Sequence, residues 1–214
     1  MRSRTCSLIA ATTVLVAANL PAQVRGADGL PPRDEWQNVP GILAALGDIR
    51  GKRIADVAAG EGYLTKHVSR AVGPSGRVYA VELGEKELAA LRALAQRDSF
   101  ANIQVIESSA ADPRLPSDLD GVVILNSYHE LTDYKSMLAG IKRALRPGAP
   151  LVLVDNAAGA GWFTKRDDQA SHHALDPKYV VAELQEAGFE ISNRRDDFIT
   201  QPYAQWLIVA RRPR

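Results

Sequence analysis

The chain has 214 residues, enough for one domain with a full hydrophobic core. Its 26 lysines and arginines against 25 acids give a net charge of +1, without the basic balance of a nucleic-acid binder, so we expect a small-molecule partner and no nucleic acid. The single cysteine, Cys6, excludes disulfides within the chain and metal sites built from several thiolates.

The first residues form a predicted targeting segment, 1–27. Two arginines precede an uncharged stretch, 5–20, that is too short and too weakly apolar for a comfortable membrane span. Small residues follow, so we expect cleavage after Ala22 or Ala27 and a periplasmic or secreted mature protein without a stable membrane span. A mitochondrial presequence and an uncleaved membrane anchor are the alternatives. The sequence leaves the oligomeric state open.

The remainder, 28–214, is predicted as one domain in which strands and helices alternate. Apolar runs bounded by turn residues predict five strands, at 53–58, 77–83, 103–108, 121–127 and 151–155. Apolar residues at helical spacing predict helices at 34–46, which is interrupted by Pro40, and at 63–72, 85–97, 132–145 and 177–187. Strands this apolar, separated by helices, indicate a parallel sheet with helices on both faces.

The end of the chain departs from this alternation. Residues 189–198 and 205–211 are predicted as strands, and only residues 199–204 separate them. A parallel crossover needs a dozen or more residues, so these two strands must form an antiparallel hairpin. We therefore expect an α/β fold whose sheet core, 51–212, is mostly parallel and ends in an antiparallel C-terminal hairpin.

A glycine turn after the first strand is the most informative motif. Asp56 lies in that strand, Gly60 and Gly62 form the turn, and Glu82 follows near the end of the second strand. Glycines let a ligand approach the backbone closely, and an acid at the neighbouring strand end can accept both hydroxyls of a ribose. The pattern predicts an adenosine-containing cofactor. A nicotinamide oxidoreductase fits the same spacing, although segment 64–65 stands where a dinucleotide fingerprint has its third glycine.

With these motifs, the chain resembles the class I S-adenosylmethionine-dependent methyltransferases from about residue 36 to residue 211. Segment 56–62 is similar to the family's first motif, and Glu82 corresponds to its second. The resemblance implies a Rossmann-like fold with a seven-stranded sheet and S-adenosylmethionine as cofactor. It implies cofactor contacts from Asp56, Ala58, Gly60, Gly62, Glu82, Ser109, Ala110 and Asn126. Segments 126–131, 172–176 and 186–189 resemble bacterial predicted methyltransferases that often carry signal peptides.

The adenine end of the site departs from the family pattern. Segment 102–116 aligns so that the acid that usually receives the adenine amino group falls at Ser109, with Asp112 in the following loop. A serine hydroxyl can accept one hydrogen bond, worth about 0.5–1.5 kcal/mol net. We therefore expect weakened but retained cofactor binding. A non-catalytic protein that binds S-adenosylmethionine or S-adenosylhomocysteine is an open alternative.

The residues directly after the fourth strand are the candidate catalytic segment. Strand ends open onto the ligand crevice of an α/β sheet, so we expect side chains there to face the acceptor. His129 is the candidate general base, with Tyr128 or Glu130 as orienting partner. A base adds about 10²–10⁴-fold if the acceptor arrives protonated. The alternative is that His129 only caps or packs the loop.

Three further features concern histidines and an aromatic pair outside the motifs described above. His172, His173 and Asp176 do not predict a metal site, because adjacent histidines point apart and no third ligand has a useful spacing. We expect no metal there, and instead a wall of the substrate pocket or a helix start at Asp176. His67 is expected in the core, on the inward face of its helix. Residues 162–163, Trp and Phe in a glycine-rich loop, are predicted either to cover an apolar acceptor or to anchor the loop.

Overall fold

A computed structural model describes residues 32–159 and 164–214. Within these ranges the helices are α1 (Arg33–Trp36), α2 (Val39–Leu46), α3 (Tyr63–Val72), α4 (Glu85–Ala95), α5 (Tyr134–Ala144), α6 (Arg166–Ala170) and α7 (Pro177–Glu186). The strands are β1 (Arg53–Val57), β2 (Arg77–Glu82), β3 (Ile103–Glu107), β4 (Gly121–Leu125), β5 (Pro150–Asn156), β6 (Glu190–Ile199) and β7 (Gln205–Arg211). The targeting segment, 1–27, and the aromatic pair at 162–163 lie outside the described residues, so both remain predictions.

The strands form one seven-stranded sheet in the order β3-β2-β1-β4-β5-β7-β6. The first five strands are parallel, and the chain reverses its direction of travel across the sheet between β1 and β4. Crevices for ligands open at the carboxyl ends of the strands at such a reversal. The topology therefore places the candidate site beside the ends of β1 and β4.

The last two strands pair as predicted. β7 lies between β5 and β6 and runs antiparallel to both. The turn between β6 and β7 is too short for a parallel crossover, which is the physical reason for the reversal. The predicted Rossmann-like fold with a mostly parallel sheet and an antiparallel hairpin is confirmed.

Both faces of the sheet are covered, and β4 shows this most clearly because all five of its residues are buried. Val122 and Ile124 face one hydrophobic cluster, which includes residues of α5 and α7. Val123 and Leu125 face the other, with residues of α2, α3 and α4. Alternate side chains of a strand point to opposite faces, so a continuous apolar run is the expected pattern for such a strand.

The predicted N-terminal helix, 34–46, is wrong as a single element. It is divided into α1 and α2 at Asn38, whose φ of 49° is left-handed. The Asn38 side chain accepts a hydrogen bond from the backbone N–H of Gly41 at 3.2 Å and caps α2. Pro40 does not cause the break; it lies in the first turn of α2, where a missing N–H costs nothing.

His67 was also predicted incorrectly as a core residue. Its ring is half-buried, and Nε2 lies 3.1 Å from Oδ1 of Asp34 in α1. The Tyr63 hydroxyl donates to the same oxygen at 2.8 Å. The two side chains of α3 therefore hold α1 in place.

No helix among the described residues is long and apolar enough to cross a bilayer.

We expect Gly62→Ala to lower the free energy of unfolding by about 1–3 kcal/mol more than Gly73→Ala. Both glycines have left-handed φ angles, 87° and 70°, so the conformational cost is shared. A Cβ at Gly62 would lie 2.8 Å from Leu94 Cδ2 and 3.0 Å from Leu91 Cδ2, whereas nothing lies within 4 Å of a Cβ at Gly73. Urea denaturation measures the difference, and equal losses would show that α4 moves freely to admit the methyl group.

Candidate active site

A cavity of about 520 Å³ opens at the carboxyl ends of β1 and β4. Four residues predicted from the sequence line it: Asp56, Ala58, Gly60 and Asn126. A smaller cavity of about 60 Å³ is lined by Glu82, Ser109 and Ala110 and shares Ala58 with the first. The larger volume is typical of a small-molecule site. The fold thus brings seven of the eight predicted cofactor residues to two adjoining cavities.

Glu82 is fixed by backbone hydrogen bonds at the rim. Its Oε2 accepts from the N–H of Gly60 at 2.8 Å, and its Oε1 accepts from the N–H of Leu83 at 2.7 Å. A carboxylate has about four lone-pair sites, so each oxygen can accept a further hydrogen bond from a ligand hydroxyl. The Glu82 carboxylate, which is predicted to bind ribose, therefore joins the end of β2 to the glycine turn.

The two glycines of the turn have different roles. Gly60 has a φ of 55°, and no atom lies within 4 Å of the position that a Cβ would take. The space above it is open to a ligand. Gly62 lines neither cavity, and the cofactor contact predicted for it stays a prediction. Gly62 instead lets α4 pack closely, because Leu91 and Leu94 occupy the space of a side chain.

Asp56 is a buried carboxylate at the base of the larger cavity. Its Oδ2 accepts from the Thr65 hydroxyl at 2.6 Å. Burial, which disfavours the charged form, and to a smaller extent the nearby Glu82 carboxylate raise the pKa of Asp56 from 3.8 to about 7, although the Thr65 hydrogen bond works in the opposite direction. A positively charged ligand group in the cavity would favour the ionised form of Asp56.

Ser109 lies in the smaller cavity, where its hydroxyl is already part of a turn. Its Oγ accepts from the N–H of Asp112 at 3.1 Å, and its own N–H donates to the Asp112 carbonyl at 2.9 Å. The hydroxyl keeps a second lone pair. The role predicted for Ser109 at the adenine amino group therefore remains a prediction, and Asp112 supports that loop through its backbone.

An amide network that the sequence did not predict lies behind the larger cavity. Buried Gln205 accepts from Nε2 of buried Gln37 at 2.8 Å and donates to Oδ1 of Asn126 and Asn156 at 2.9 and 3.0 Å. Asn126 in turn donates to Gln37 at 3.3 Å. The network fixes the side chain of Asn126 and connects α1 to the ends of β4 and β5.

Tyr128 does not orient His129, contrary to the prediction. It is fully buried, and its hydroxyl donates to Oε2 of Glu183 in α7 at 2.8 Å. Burial and the neighbouring Glu183 carboxylate raise the pKa of Tyr128 above its ordinary value. The short turn at Tyr128–Glu130 points this ring into the core beside α7, away from the crevice.

His129 is oriented by Asp155, a residue that the sequence analysis missed. Nδ1 of His129 lies 2.8 Å from Oδ1 of Asp155, and the backbone N–H of His129 donates to Oδ2 at 3.0 Å. Burial works against the charged ring, but the hydrogen bond and charge of Asp155 raise the pKa of His129 above its ordinary value. The sequence signal that could have identified Asp155 is an acidic residue at the end of an apolar strand.

The surroundings of His129 differ from those expected of a base in the crevice. Its side chain is only 3 % exposed, and it lines neither of the two cavities. Its Nε2 lies 3.6 Å from Oε1 of Glu130 and 3.3 Å from Nδ1 of His173. The role of His129 as general base therefore stays a prediction. Glu130, the other predicted orienting partner, lies beside Nε2 of His129.

The two adjacent histidines point apart, as expected. The ring of His172 turns to its own helix, with Nδ1 2.8 Å from the Asp168 carbonyl oxygen, whereas His173 packs against His129. Asp176 caps α7 by accepting from the N–H of Lys178 at 2.9 Å. The structure thus gives Asp176 the helix-start role and separates it from the histidines.

Comparison with known proteins places this geometry among related folds. Residues 54–148 match a family described as a methyltransferase domain. The demethylmenaquinone methyltransferase of Lactococcus lactis subsp. lactis (strain IL1403) is 31 % identical over 116 residues, which cover 54 % of this chain and 46 % of that protein. A ubiquinone/menaquinone biosynthesis C-methyltransferase UbiE, from Stutzerimonas stutzeri (strain A1501), is 28 % identical over 150 residues, 69 % of this chain and 56 % of that protein.

The chain spans about half the length of these curated relatives. Among solved structures, a SAM dependent methyltransferase from Aquifex aeolicus superposes with a TM-score of 0.71 at 22 % identity. The superposition covers 83 % of this chain and 91 % of that one. At this identity the similarity establishes the fold.

We expect Asp56→Asn to stabilise the protein increasingly as the pH rises from about 4 to about 7. The native carboxyl, with its pKa raised to about 7, holds a proton that the unfolded chain releases near pH 4. Wild-type stability therefore falls through this window, relative to the variant, by on the order of 4 kcal/mol at 1.36 kcal/mol per pH unit. Urea denaturation at several pH values measures the effect.

The exposed Asp48 supplies the control for this series. Asp48→Asn should change stability by a small amount that varies little across the same pH range, because an exposed carboxyl keeps its solvation. A pH-independent difference between Asp56→Asn and the wild type would contradict the raised pKa.

Proposed function

We propose that this chain, a class I S-adenosylmethionine-dependent methyltransferase by its fold and its family match, transfers a methyl group to a small molecule bound in the cavity beside β1 and β4. The family and its cofactor, S-adenosylmethionine, are those that the sequence predicted, and both the methyltransferase-domain match over residues 54–148 and the fold shared with a SAM dependent methyltransferase support them. The relatives do not favour a nicotinamide oxidoreductase. The observation that carries the proposal is the Glu82 carboxylate fixed against the open Gly60 turn.

We assign the two adjoining cavities to the two ends of the cofactor. The smaller one offers Glu82 for ribose hydroxyls and the Ser109–Ala110 backbone for the adenine. The larger one has Asp56 at its base and Arg33 in its wall, so it presents both signs of charge to an amino-acid group. When bound, the cofactor supplies a methyl group on a sulfonium ion.

Positioning is the main contribution that we assign to the protein. Methyl transfer is an in-line displacement, and alignment of the reacting groups can lower the barrier by roughly 7–11 kcal/mol. Asn126, held by Gln37 and Gln205, and Ser127 line the cavity at the end of β4. Their fixed side chains are suited to orient an acceptor beside the cofactor.

The wall of the larger cavity favours an aromatic acceptor. Trp36 lines it and packs edge-on against Tyr203, with ring centroids 5.8 Å apart. The Tyr203 side chain is largely exposed beside Trp36. Arg33 also lines this cavity, and its guanidinium lies 4.1 Å from the ring centroid of Tyr63. Aromatic side chains stack on planar rings, and a cation stabilises negative charge on a ring oxygen.

We therefore propose a hydroxylated aromatic ring of the quinol type as acceptor, methylated on a ring carbon. The names of the two curated relatives support this class, since one names demethylmenaquinone and the other names C-methylation in ubiquinone/menaquinone biosynthesis. Loss of a ring hydroxyl proton to solvent makes the neighbouring carbon nucleophilic, and Arg33 in the cavity wall would stabilise the resulting oxygen anion. As the carbon–methyl bond forms, the sulfur–methyl bond would break, and the ring carbon would then lose its proton to solvent and regain aromaticity.

Glu82→Ala should weaken the binding of S-adenosylhomocysteine by about 1.5–3 kcal/mol, or roughly 10- to 150-fold, because a charged hydrogen-bond acceptor is removed. Calorimetry of purified protein gives the dissociation constants. Glu107→Ala is the matched control: Glu107 pairs with Glu82 in the β2–β3 register but lines neither cavity. A wild-type protein that binds NAD and not S-adenosylhomocysteine would refute the proposal.

Trp36→Ala should raise KM for a ring acceptor by about tenfold, the equivalent of roughly 1.4 kcal/mol of lost apolar contact, and leave S-adenosylhomocysteine affinity almost unchanged. The assay combines S-adenosylmethionine with a demethylated naphthoquinol, and mass spectrometry and NMR locate the new methyl group. Trp36→Phe keeps an aromatic wall and should restore most of the loss. Cofactor binding without methylation of any hydroxylated ring would overturn the acceptor class alone.

A further inference from the structure

We propose that His129, Glu130 and His173 form a binding site for a divalent transition metal of the zinc class. His129 and Glu130 belong to the short turn that follows β4, and His173 lies 44 residues later in the turn that follows α6. Folding brings one nitrogen from each histidine and one carboxylate oxygen to a single point at the surface. In the sequence, no further ligand lies at a useful spacing from His173. Folding brings two further ligands, His129 and Glu130, to its side chain.

The distances between the three ligand atoms match those of a zinc coordination shell. His129 Nε2 lies 3.3 Å from His173 Nδ1 and 3.6 Å from Glu130 Oε1, and His173 Nδ1 lies 3.9 Å from the same oxygen. Zinc bonds of about 2.0–2.2 Å at tetrahedral angles separate neighbouring ligand atoms by about 3.3–3.6 Å. Small rotations of the two exposed side chains, Glu130 and His173, would close the remaining difference.

Asp155 prepares His129 for this role. The carboxylate is fully buried and accepts both the Nδ1–H of His129 and its backbone N–H. With the proton held on Nδ1, the lone pair of Nε2 points toward Glu130 and His173. A carboxylate behind a histidine ligand is the usual outer support of a zinc site, and its loss typically costs 10–100-fold in metal affinity.

Hydrogen bonds to the backbone of His173 hold that residue in position. The side-chain amide of Asn156 donates to the His173 carbonyl at 2.9 Å, and the His173 N–H donates to the Ala170 carbonyl at 2.9 Å. The φ of His173 is 56°, a left-handed angle that aims its ring at His129. Two of the three ligands are therefore placed before any metal arrives, which lowers the entropic cost of binding.

The chemistry of the ligand set selects the metal. Two imidazoles and one carboxylate suit zinc and neighbouring transition metals, whereas magnesium and calcium prefer shells made of oxygen atoms. Three protein ligands leave one tetrahedral position for water or another donor. The side chains of His173 and Glu130 are 76 % and 60 % exposed, so an ion can reach the site from solvent. Metal binding does not depend on the proposed methyl transfer.

The test is a zinc titration of untagged protein that has been treated with a chelator, followed by competition with a chromophoric zinc indicator. We expect one zinc ion per chain. His173→Ala and Glu130→Ala should each weaken binding at least tenfold, since each removes a ligand. His172→Ala is the matched control, because the His172 ring faces Asp168 and lies outside the cluster; it should bind as the wild type does. Magnesium should not compete.

A second variant separates a built site from casual surface binding. Asp155→Asn keeps the three ligands and should retain one zinc per chain with 10- to 100-fold weaker affinity. Thermal melts with and without zinc check the fold, and at the same zinc concentration the melting temperature should rise more for the wild type than for His173→Ala. Absence of stoichiometric binding, or equal loss in His172→Ala and His173→Ala, would overturn the proposal in favour of a hydrogen-bonded histidine pair.

Discussion

The crevice depends on a buried side-chain amide, Gln205, that bonds to three others. Gln37 lies between α1 and α2, Asn126 and Asn156 lie at the ends of β4 and β5, and Gln205 begins the antiparallel strand β7. A buried amide left without partners costs free energy, so each of these side chains restricts the positions of the others. The wall that carries Trp36 is thereby held at a fixed distance from the floor at Asn126.

Two acids at neighbouring strands serve the site in different physical states. Glu82 is at the rim, where backbone N–H groups direct its oxygens toward the cavity mouth. Asp56 is buried one strand away, and its protonation responds to the charge of whatever fills the cavity. Glu82 therefore holds a hydrogen-bond acceptor at a fixed position, and Asp56 provides a charge that depends on the bound ligand. Their separation across β1 and β2 follows from the parallel register of the sheet.

The parts of the molecule that sequence predicted are those that depend on local pattern. Apolar runs and connection lengths are sufficient for the mostly parallel sheet and the hairpin, and a glycine turn followed by Glu82 is sufficient for the side of the crevice at the ends of β1 and β2. Contacts between distant residues left no periodic signal. Tyr128 meets Glu183 across 55 positions, and His129 meets Asp155 across 26, so only the folded chain shows which partner each residue has.

The antiparallel insertion of β7 also governs when the crevice can form. Gln37 and Gln205 are 168 positions apart, one of the most non-local contacts in the described chain. Contacts of such high sequence separation form late, because the entropy of closing the intervening loop must be overcome first. The β1–α3–β2 unit can fold early and carry Glu82 and Gly60, yet the cavity stays incomplete until β7 enters between β5 and β6. Ligand binding therefore reports the completion of the entire sheet.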